Sequence, residues 1–580
     1  MASSFFSRMT GDENSSQVQR NLVFNLLCVL CLLTMVGCGS GGGDGSPTAT
    51  TTPFEPGPGA LKVDVPALAP GKITPSIAFS QNQVVINFNQ AVSGSIREEA
   101  SSVNEQGASV KAAGSTRRFG LIVTTGKTDG GSFSLWGNRG KDGGGVVLNS
   151  IHPAVSTSLR ATAFPNQARV DAIRNKRWHE NILAGRSGAG TTGVSANIRA
   201  ASNAGEKVGD IANFSMYSSS NIFSNSSYVN RTAVLRRKGT FCKIFVDPEP
   251  YQGLSAVTGP FTITDEDLRI MEEKFDQVIY KLITQNYGPT RDVDSDGCIS
   301  IVLSPLITQL GFAGLFDTEH LEKKGPLHPI SNERDMISVF TPDANFNGTN
   351  WRAVALETTT HEFQHMANYV AHRFIQHSPD QEPQTSWEES VWLDEALAVG
   401  AEARYRITIG DPAGEDRFRD FARSTRNTSL NNFSSSLANY GAGGLFTHYI
   451  FDRLGTDTIR SIVNSDWKGI DNIDHAGSTA GGFQGLFRDW SIAMFAESHK
   501  LLFDVSQLDA VYRYKNDLAI DLSKLTTGVS NLAAFQTTML PTSMAFAIIE
   551  VPVGATGKAA QLVLEDPDGG SMSARLIRLD

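Results

Sequence analysis

The spacing of apolar residues changes twice along this chain. Between 61 and 225 it runs in short alternating stretches, such as Val84-Val85-Ile86-Asn87-Phe88 and Arg118-Phe119-Gly120-Leu121-Ile122-Val123, separated by Gly and Ser clusters. That pattern predicts β-strands in one or two small domains. Residues 232–248 predict a hairpin. From 264 the period becomes helical: Thr264 stands as an N-cap before three acidic residues, and Leu268, Met271, Phe275, Val278, Ile279 and Leu282 form one stripe. Helical segments continue to about 505. The tail, 506–580, returns to short apolar runs such as Ala545-Phe546-Ala547-Ile548-Ile549, which predict a small C-terminal β appendage. No repeat of fixed period is present. The expected fold class is α+β: a mainly helical domain over 226–505, flanked by a β-rich region over 61–225 and the appendage.

Residues 21–36 (NLVFNLLCVLCLLTMV) follow a polar leader containing Arg8 and Arg20. An apolar run of this length, ending in small residues, predicts an export signal over 1–37 rather than a spanning helix. Gly37-Cys38-Gly39 resembles a bacterial lipobox, which implies acylation of Cys38 and a lipid-anchored protein of the cell envelope. Gly39 fits the outer membrane. Asp12 and Glu13 offset the two arginines, a departure from the usual leader; a plain signal peptide and an uncleaved anchor are the alternative readings. Residues 38–60, rich in Gly, Ser, Thr and Pro, read as a tether.

A chain of 580 residues predicts several domains, and 19% charged residues with 40% hydrophobic ones suit folded cores. The net charge of −10 argues against a general nucleic-acid binder, which needs a basic stripe. Five cysteines are present. Cys28 and Cys31 leave with the signal and Cys38 carries lipid, so Cys242 and Cys298 remain. In an exported chain that remainder predicts one disulfide, with two buried free thiols as the other reading.

Asp292-Val293-Asp294-Ser295-Asp296-Gly297 has the alternating acids and the glycine that open a calcium loop. Leu303 stands where such a loop needs a bidentate Glu, and a strand follows instead of a helix. Ca²⁺ at Asp292, Asp294 and Asp296 therefore stands beside the plainer reading of an acidic turn.

Residues 351–371 (WRAVALETTTHEFQHMANYVA) contain no Gly or Pro and predict a helix. On it, His361 and His365 lie at i and i+4, one face, so both imidazoles reach a single metal ion. Glu362 follows the first ligand, where it approaches a metal-activated water as general base without binding the metal. A catalytic zinc also needs a third protein ligand and an open position. Downstream lies Trp392-Leu393-Asp394-Glu395-Ala396-Leu397-Ala398, and Glu395 supplies that ligand from a second helix. A metzincin would need glycine at position 368 and histidine at 371, where this chain has Asn368 and Ala371. Asp394, Glu388, Glu389 and Glu402 stand as other ligands or as acids that orient the ligands. An amphipathic helix with two idle histidines is the plain alternative.

HEFQH followed by WLDEALA resembles the gluzincin metallopeptidases, which include the thermolysin and aminopeptidase-N groups. The resemblance maps the third zinc ligand onto Glu395. Residues 205–505 resemble the hyicolysin family of secreted bacterial metallopeptidases through VGDIANF, FCKIFVD, DVDSDG, HEFQH, WLDEALA and NYGAGGLFTHYIFDRLG. The 29 residues between His365 and Glu395 exceed the thermolysin spacing, which implies an inserted loop over 376–386. The aminopeptidase G-x-M-x-N segment is absent, so the resemblance implies a zinc-dependent endopeptidase acting on proteins or peptides. A tyrosine just before a Gly-bearing helix stabilises the oxyanion in aminopeptidase-type gluzincins, which implies that role for Tyr440; a helix is expected from Gly441 to Leu454, capped by Gly455. His448 is the rival, and a Tyr440 merely packed in the core is the plain reading. Two other function classes stand: a cell-surface adhesion or binding lipoprotein with an inactive zinc domain, and a lipoprotein that uses zinc for folding alone.

Overall fold

A computed structural model describes residues 61–78, 83–91, 116–126, 131–137, 147–150, 205–218, 228–326, 328–377, 387–411, 416–434, 436–516, 531–532, 534–566 and 572–580, with a few single positions between. The expected signal, Cys38 and most of the tether lie outside these residues. No described helix is long and apolar enough to cross a membrane. The described fold is α+β, as the sequence predicts.

The central unit begins with a mixed sheet. Its order is Gly314–Leu315, Met336–Val339, Ile299–Leu303, Cys242–Val246, Tyr228–Lys238 and Ile211–Tyr217. The expected hairpin is present: Tyr228–Lys238 pairs antiparallel with Cys242–Val246. Cys242–Val246, Ile299–Leu303 and Met336–Val339 run parallel. All three are buried along their length, which is why they read as continuous apolar runs. Gly314–Leu315 closes one edge antiparallel.

Helices cover this sheet. Asp265–Lys274 opens on a capping box between Thr264 and Asp267 and continues through a π-helical turn, Phe275–Ile279, into Tyr280–Asn286. Its stripe packs Phe275 against Phe363 of the helix Gly348–Val370, ring centroids 5.4 Å apart. That motif helix is buried over most of its length. Beyond it lie Val391–Thr408 and Leu437–Leu454, two long helices packed side by side. Glycine makes that approach close: a Cβ on Gly443 would stand 2.8 Å from Ala396 Cβ, and one on Gly444 2.4 Å from Val399 Cγ1.

The remaining strands come from both ends of the chain. One described sheet runs Leu61–Asp64, Gln83–Asn87, Gln561–Glu565, Gly131–Gly137 and Ala534–Met539. The other runs Asn531–Leu532, Val147–Ser150, Met544–Pro552, Thr116–Thr124, Ser573–Arg578 and Ile77–Ala78. The β segments that the sequence presents as two flanking regions thus pair with one another in both sheets. Their shared core holds Val84, Ile86, Phe88, Phe119, Leu121, Ile549 and Leu562. A smaller core joins the second sheet to the helix Gly482–Ser498 through Ile122, Ile548, Ile577, Ile492 and Phe495. Gly120 is required there, because a Cβ would stand 2.3 Å from the Phe495 ring.

The expected Cys242–Cys298 disulfide is absent, and both residues are buried free thiols. The strand register explains it. Cys242 stands opposite Ile299, one residue out of step with Cys298, and successive residues of a strand face opposite sides of the sheet. Cys298 Sγ instead lies 3.7 Å from the Thr240 carbonyl oxygen.

Candidate metal centre

The motif helix presents His361 and His365 on one face, one turn apart, as their spacing predicts. Glu395, in the second turn of Val391–Thr408, is turned toward them. His361 Nε2 and His365 Nε2 lie 3.0 Å apart, and Glu395 Oε2 lies 3.3 Å from the first and 3.5 Å from the second. Ligands held about 2.0–2.1 Å from one tetrahedral ion stand about 3.4 Å from each other. The triangle therefore has the edges of a zinc site, and all three residues are buried.

The other imidazole nitrogens fix which atoms are offered. His361 Nδ1 lies 2.6 Å from Glu402 Oε1, and His365 Nδ1 lies 3.0 Å from Asp394 Oδ2. With each Nδ1–H donated to a carboxylate, each Nε2 carries its lone pair toward the other and toward Glu395. Three lone pairs converging in a buried space repel unless a cation joins them. Burial opposes a charge on His361, yet the Glu395 and Glu402 carboxylates raise its pKa to about 10, so without a metal ion a proton on Nε2 would take the place of the lone pair. The donor set calls for positive charge, and it fits zinc.

The orienting acids are anchored in turn. Arg417, from the helix Asp416–Arg423, binds both oxygens of Glu402. Asn368 Nδ2 donates to Asp394 Oδ1 at 2.6 Å. Glu402 lies two helical turns after Glu395, so the same helix delivers one candidate ligand and the carboxylate that orients another. Glu389 serves elsewhere, accepting from Gly469 N at 2.6 Å and from Asn472 Nδ2 at 2.7 Å, and so ties two segments together.

Glu362 points from the same helix toward the edge strand. The Phe316 backbone N–H donates to its Oε2 at 2.8 Å. Gly314 sits above Thr358 and Glu362, and any Cβ there would meet Thr358 Cγ2 at 2.4 Å. The outer edge of that strand is bridged by Gln167, which accepts from Ala313 N at 2.7 Å and donates to Gly314 O at 3.1 Å. A cleft beside His365 is walled by Phe316, Thr318, Tyr369, Arg373 and Trp387.

The remaining expectations fall in different places. The tyrosine helix starts at Leu437, capped by Ser436, so Tyr440 lies in its first turn rather than just before it. Gly455 ends it at φ 86°, as expected. Tyr440 is buried, edge-on to Phe433 at 5.1 Å. His448 faces Asp452 at 3.5 Å and stacks on Tyr514 at 5.8 Å. Asp452 also pairs with Arg404, nine residues past Glu395 or about 13 Å along that helix. The rival thus has Asp452 and Tyr514 as its partners, and neither belongs to the ligand triangle. His372 lies beside Lys468 Nζ at 3.2 Å, and burial lowers its pKa to about 3. Asp292, Asp294 and Asp296 do converge, with carboxylate oxygens within 4.8 Å of one another. Sequence reasoning missed Arg417 and the Phe316 N–H, since no local spacing ties them to the motif, and it assigned no role to Asn368, three residues after His365 on the same helix.

Over 194 residues, or 32% of this chain, the sequence is 26% identical to the neutral metalloprotease ShpI of Staphylococcus hyicus. That match spans 42% of the relative's length, less than half of it. No family model matches the chain. The protein is therefore similar, at a distance, to a metalloprotease, which agrees with a buried His-His-Glu group.

Proposed function

We propose that this protein is an exported, zinc-dependent metalloendopeptidase that cleaves peptide bonds in proteins. The observation that carries the reading is the convergence of His361 Nε2, His365 Nε2 and Glu395 Oε2 beside Glu362. His361, His365 and Glu395 would hold zinc, which supplies Lewis acidity to a water and to the scissile carbonyl. Glu362, fixed by the Phe316 N–H, takes a proton from the attacking water at its carboxylate and returns it to the leaving amine nitrogen. Glu402 and Asp394 keep both imidazoles in the tautomer that offers Nε2. Tyr440 donates its hydroxyl proton in a hydrogen bond to the developing oxyanion. Support comes from the packing of its helix: Gly443, one turn later, rests on Ala396, the neighbour of Glu395. Export and lipid attachment through Cys38, placing the enzyme in a bacterial cell envelope, rest on the leader and its Gly37-Cys38-Gly39 segment.

Purified protein is expected to hydrolyse casein, to stop when a chelator removes its metal and to recover with zinc. Glu362→Gln should lower turnover by about 100- to 10,000-fold at unchanged zinc content. Tyr440→Phe should lower it by about 100- to 1,000-fold. Casein hydrolysis that survives both chelation and Glu362→Gln would refute the reading. Turnover of Tyr440→Phe within threefold of wild type would remove Tyr440 from the mechanism.

A further inference from the structure

We infer that Gln167 autoinhibits this protein: its side-chain amide occupies the strand edge on which an extended peptide substrate would be laid. The inference rests on the peptidase reading and adds a regulation of the same site.

Gly314–Leu315 is the edge strand of the central sheet. Its inner edge pairs antiparallel with Met336–Val339, where the Ala313 carbonyl accepts from Phe340 N at 3.0 Å. Its outer edge leads to the proposed base. A Cβ on Gly314 would stand 3.0 Å from Glu362 Cγ, and Phe316, two residues on, gives its N–H to Glu362 Oε2 at 2.8 Å. An open strand edge offers N–H and C=O groups to any extended chain, and peptide recognition by strand addition uses such edges. A peptide paired at Gly314 would therefore run past Glu362.

Gln167 already fills that place. Its Oε1 accepts from Ala313 N at 2.7 Å and from Gly314 N at 3.3 Å, and its Nε2 donates to Gly314 O at 3.1 Å. A carboxamide carries the C=O and N–H of a peptide bond, so Gln167 satisfies Gly314 as a paired strand residue would. A substrate chain pairing with Gly314 has to displace it.

The cap is held in place by its own chain. Gln167 N donates to Phe164 O at 3.3 Å, and Phe164 is buried. The Phe164 ring stands 4.8 Å from that of Phe340, edge-on, and stacks on Phe346 at 5.3 Å. Phe164 thus anchors Gln167 beside the edge, and a group tethered this way acts at high effective concentration against a free peptide. The hold on the edge itself is three hydrogen bonds between uncharged groups, each of small net strength, from a half-buried side chain. Such a cap competes with substrate rather than blocking it, so its mark is a raised KM.

The test uses the full chain with its zinc in place and fluorescein-labelled casein as the probe. Gln167→Ala should lower KM for casein by about tenfold at unchanged kcat, because apparent affinity scales with the fraction of molecules whose site is open. Gln167→Glu keeps an acceptor for the two N–H groups and loses the donor to Gly314 O, so its KM should fall by about threefold. Should Gln167→Ala fail to fold, Gln167→Glu decides alone. Binding is read without turnover in the Glu362→Gln background, where adding Gln167→Ala should lower the Kd for casein, followed by anisotropy, by the same factor. A Gln167 that only stabilises the fold would give a lower Tm and no gain in affinity. KM and Kd that stay within about twofold of their parents, or rise, overturn the inference and leave the peptidase reading standing. Failure of zinc-loaded wild type and Gln167→Ala alike to cleave casein overturns the peptidase reading and this inference with it.

Discussion

His361 and the acid that orients it, Glu402, are 41 positions apart, whereas Gln83 and Glu565, hydrogen-bonded across neighbouring strands of the sandwich that the two terminal sheets form over their shared core, are 482 apart. The candidate metal centre is built from near neighbours in sequence: one helix gives two of the proposed ligands and the proposed base, and the next gives the proposed third ligand and the two acids bonded to the imidazoles. The sandwich is built from the two ends of the described chain, with the whole central unit between them. Loop-closure cost rises only slowly with length, so such pairing is affordable once the intervening chain is compact. The contrast teaches where sequence reasoning has purchase. Chemistry set by helical spacing can be read locally, while strand partners chosen by distant segments cannot. The shared core of Ile122, Ile548, Ile577, Ile492 and Phe495 is where the two constructions meet.

Three perturbations sharpen that contrast. The largest effect is expected in the sandwich. Phe119 is fully buried, its ring 5.0 Å from that of Phe88, on a strand flanked by Met544–Pro552 and Ser573–Arg578. Phe119→Ala should cost about 3–5 kcal/mol. Calorimetry should show a lowered transition, with zinc content and casein turnover retained at room temperature. Loss of zinc together with the sandwich would show that the joining core makes the two regions one cooperative unit.

The second perturbation is pH. His448 is wholly buried, and burial lowers its pKa from 6.5 to about 4, against the opposing charge of Asp452 and with the help of Arg404. The unfolded chain therefore binds a proton between about pH 6.5 and 4 that the folded chain refuses, so stability falls as pH is lowered through that window. The fall amounts to about 3 kcal/mol at about 1.4 kcal/mol per pH unit. His499, buried and likewise lowered to about 4, adds in the same direction. His448→Gln should flatten the dependence of Tm on pH between 6.5 and 4. An unchanged slope would assign the acid sensitivity elsewhere.

The smallest effect is expected one contact away from the candidate metal ligands. Glu402→Gln keeps a hydrogen-bond acceptor for His361 Nδ1 and removes the charge that also holds Arg417. Zinc affinity, measured by chelator competition, should drop about 10- to 100-fold with the fold intact by circular dichroism. Affinity unchanged by this substitution would mean that the helix alone positions His361.

The helical period of residues 264–282, the parity of the strands and the i, i+4 histidines were legible because each depends on backbone geometry within a few residues. Glu395 was legible as a candidate through its chemistry, and the identity of Glu402 and Asp394 as orienting acids was open until two helices were set side by side. The start of the tyrosine helix moved to Leu437, because Ser436 caps it and the residue patterns there give no strong signal. Other features belonged to tertiary structure alone. The pairing of residues 83–87 with 561–565 depends on distant partners. The one-residue offset that keeps Cys242 and Cys298 apart depends on strand register. Phe316 meets Glu362 only because the edge strand Gly314–Leu315 lies against the motif helix. Sequence by itself determines which side chains carry the chemistry and the local elements that present them. Tertiary structure decides which of them share a site, because that depends on the register and packing of segments that no local pattern connects.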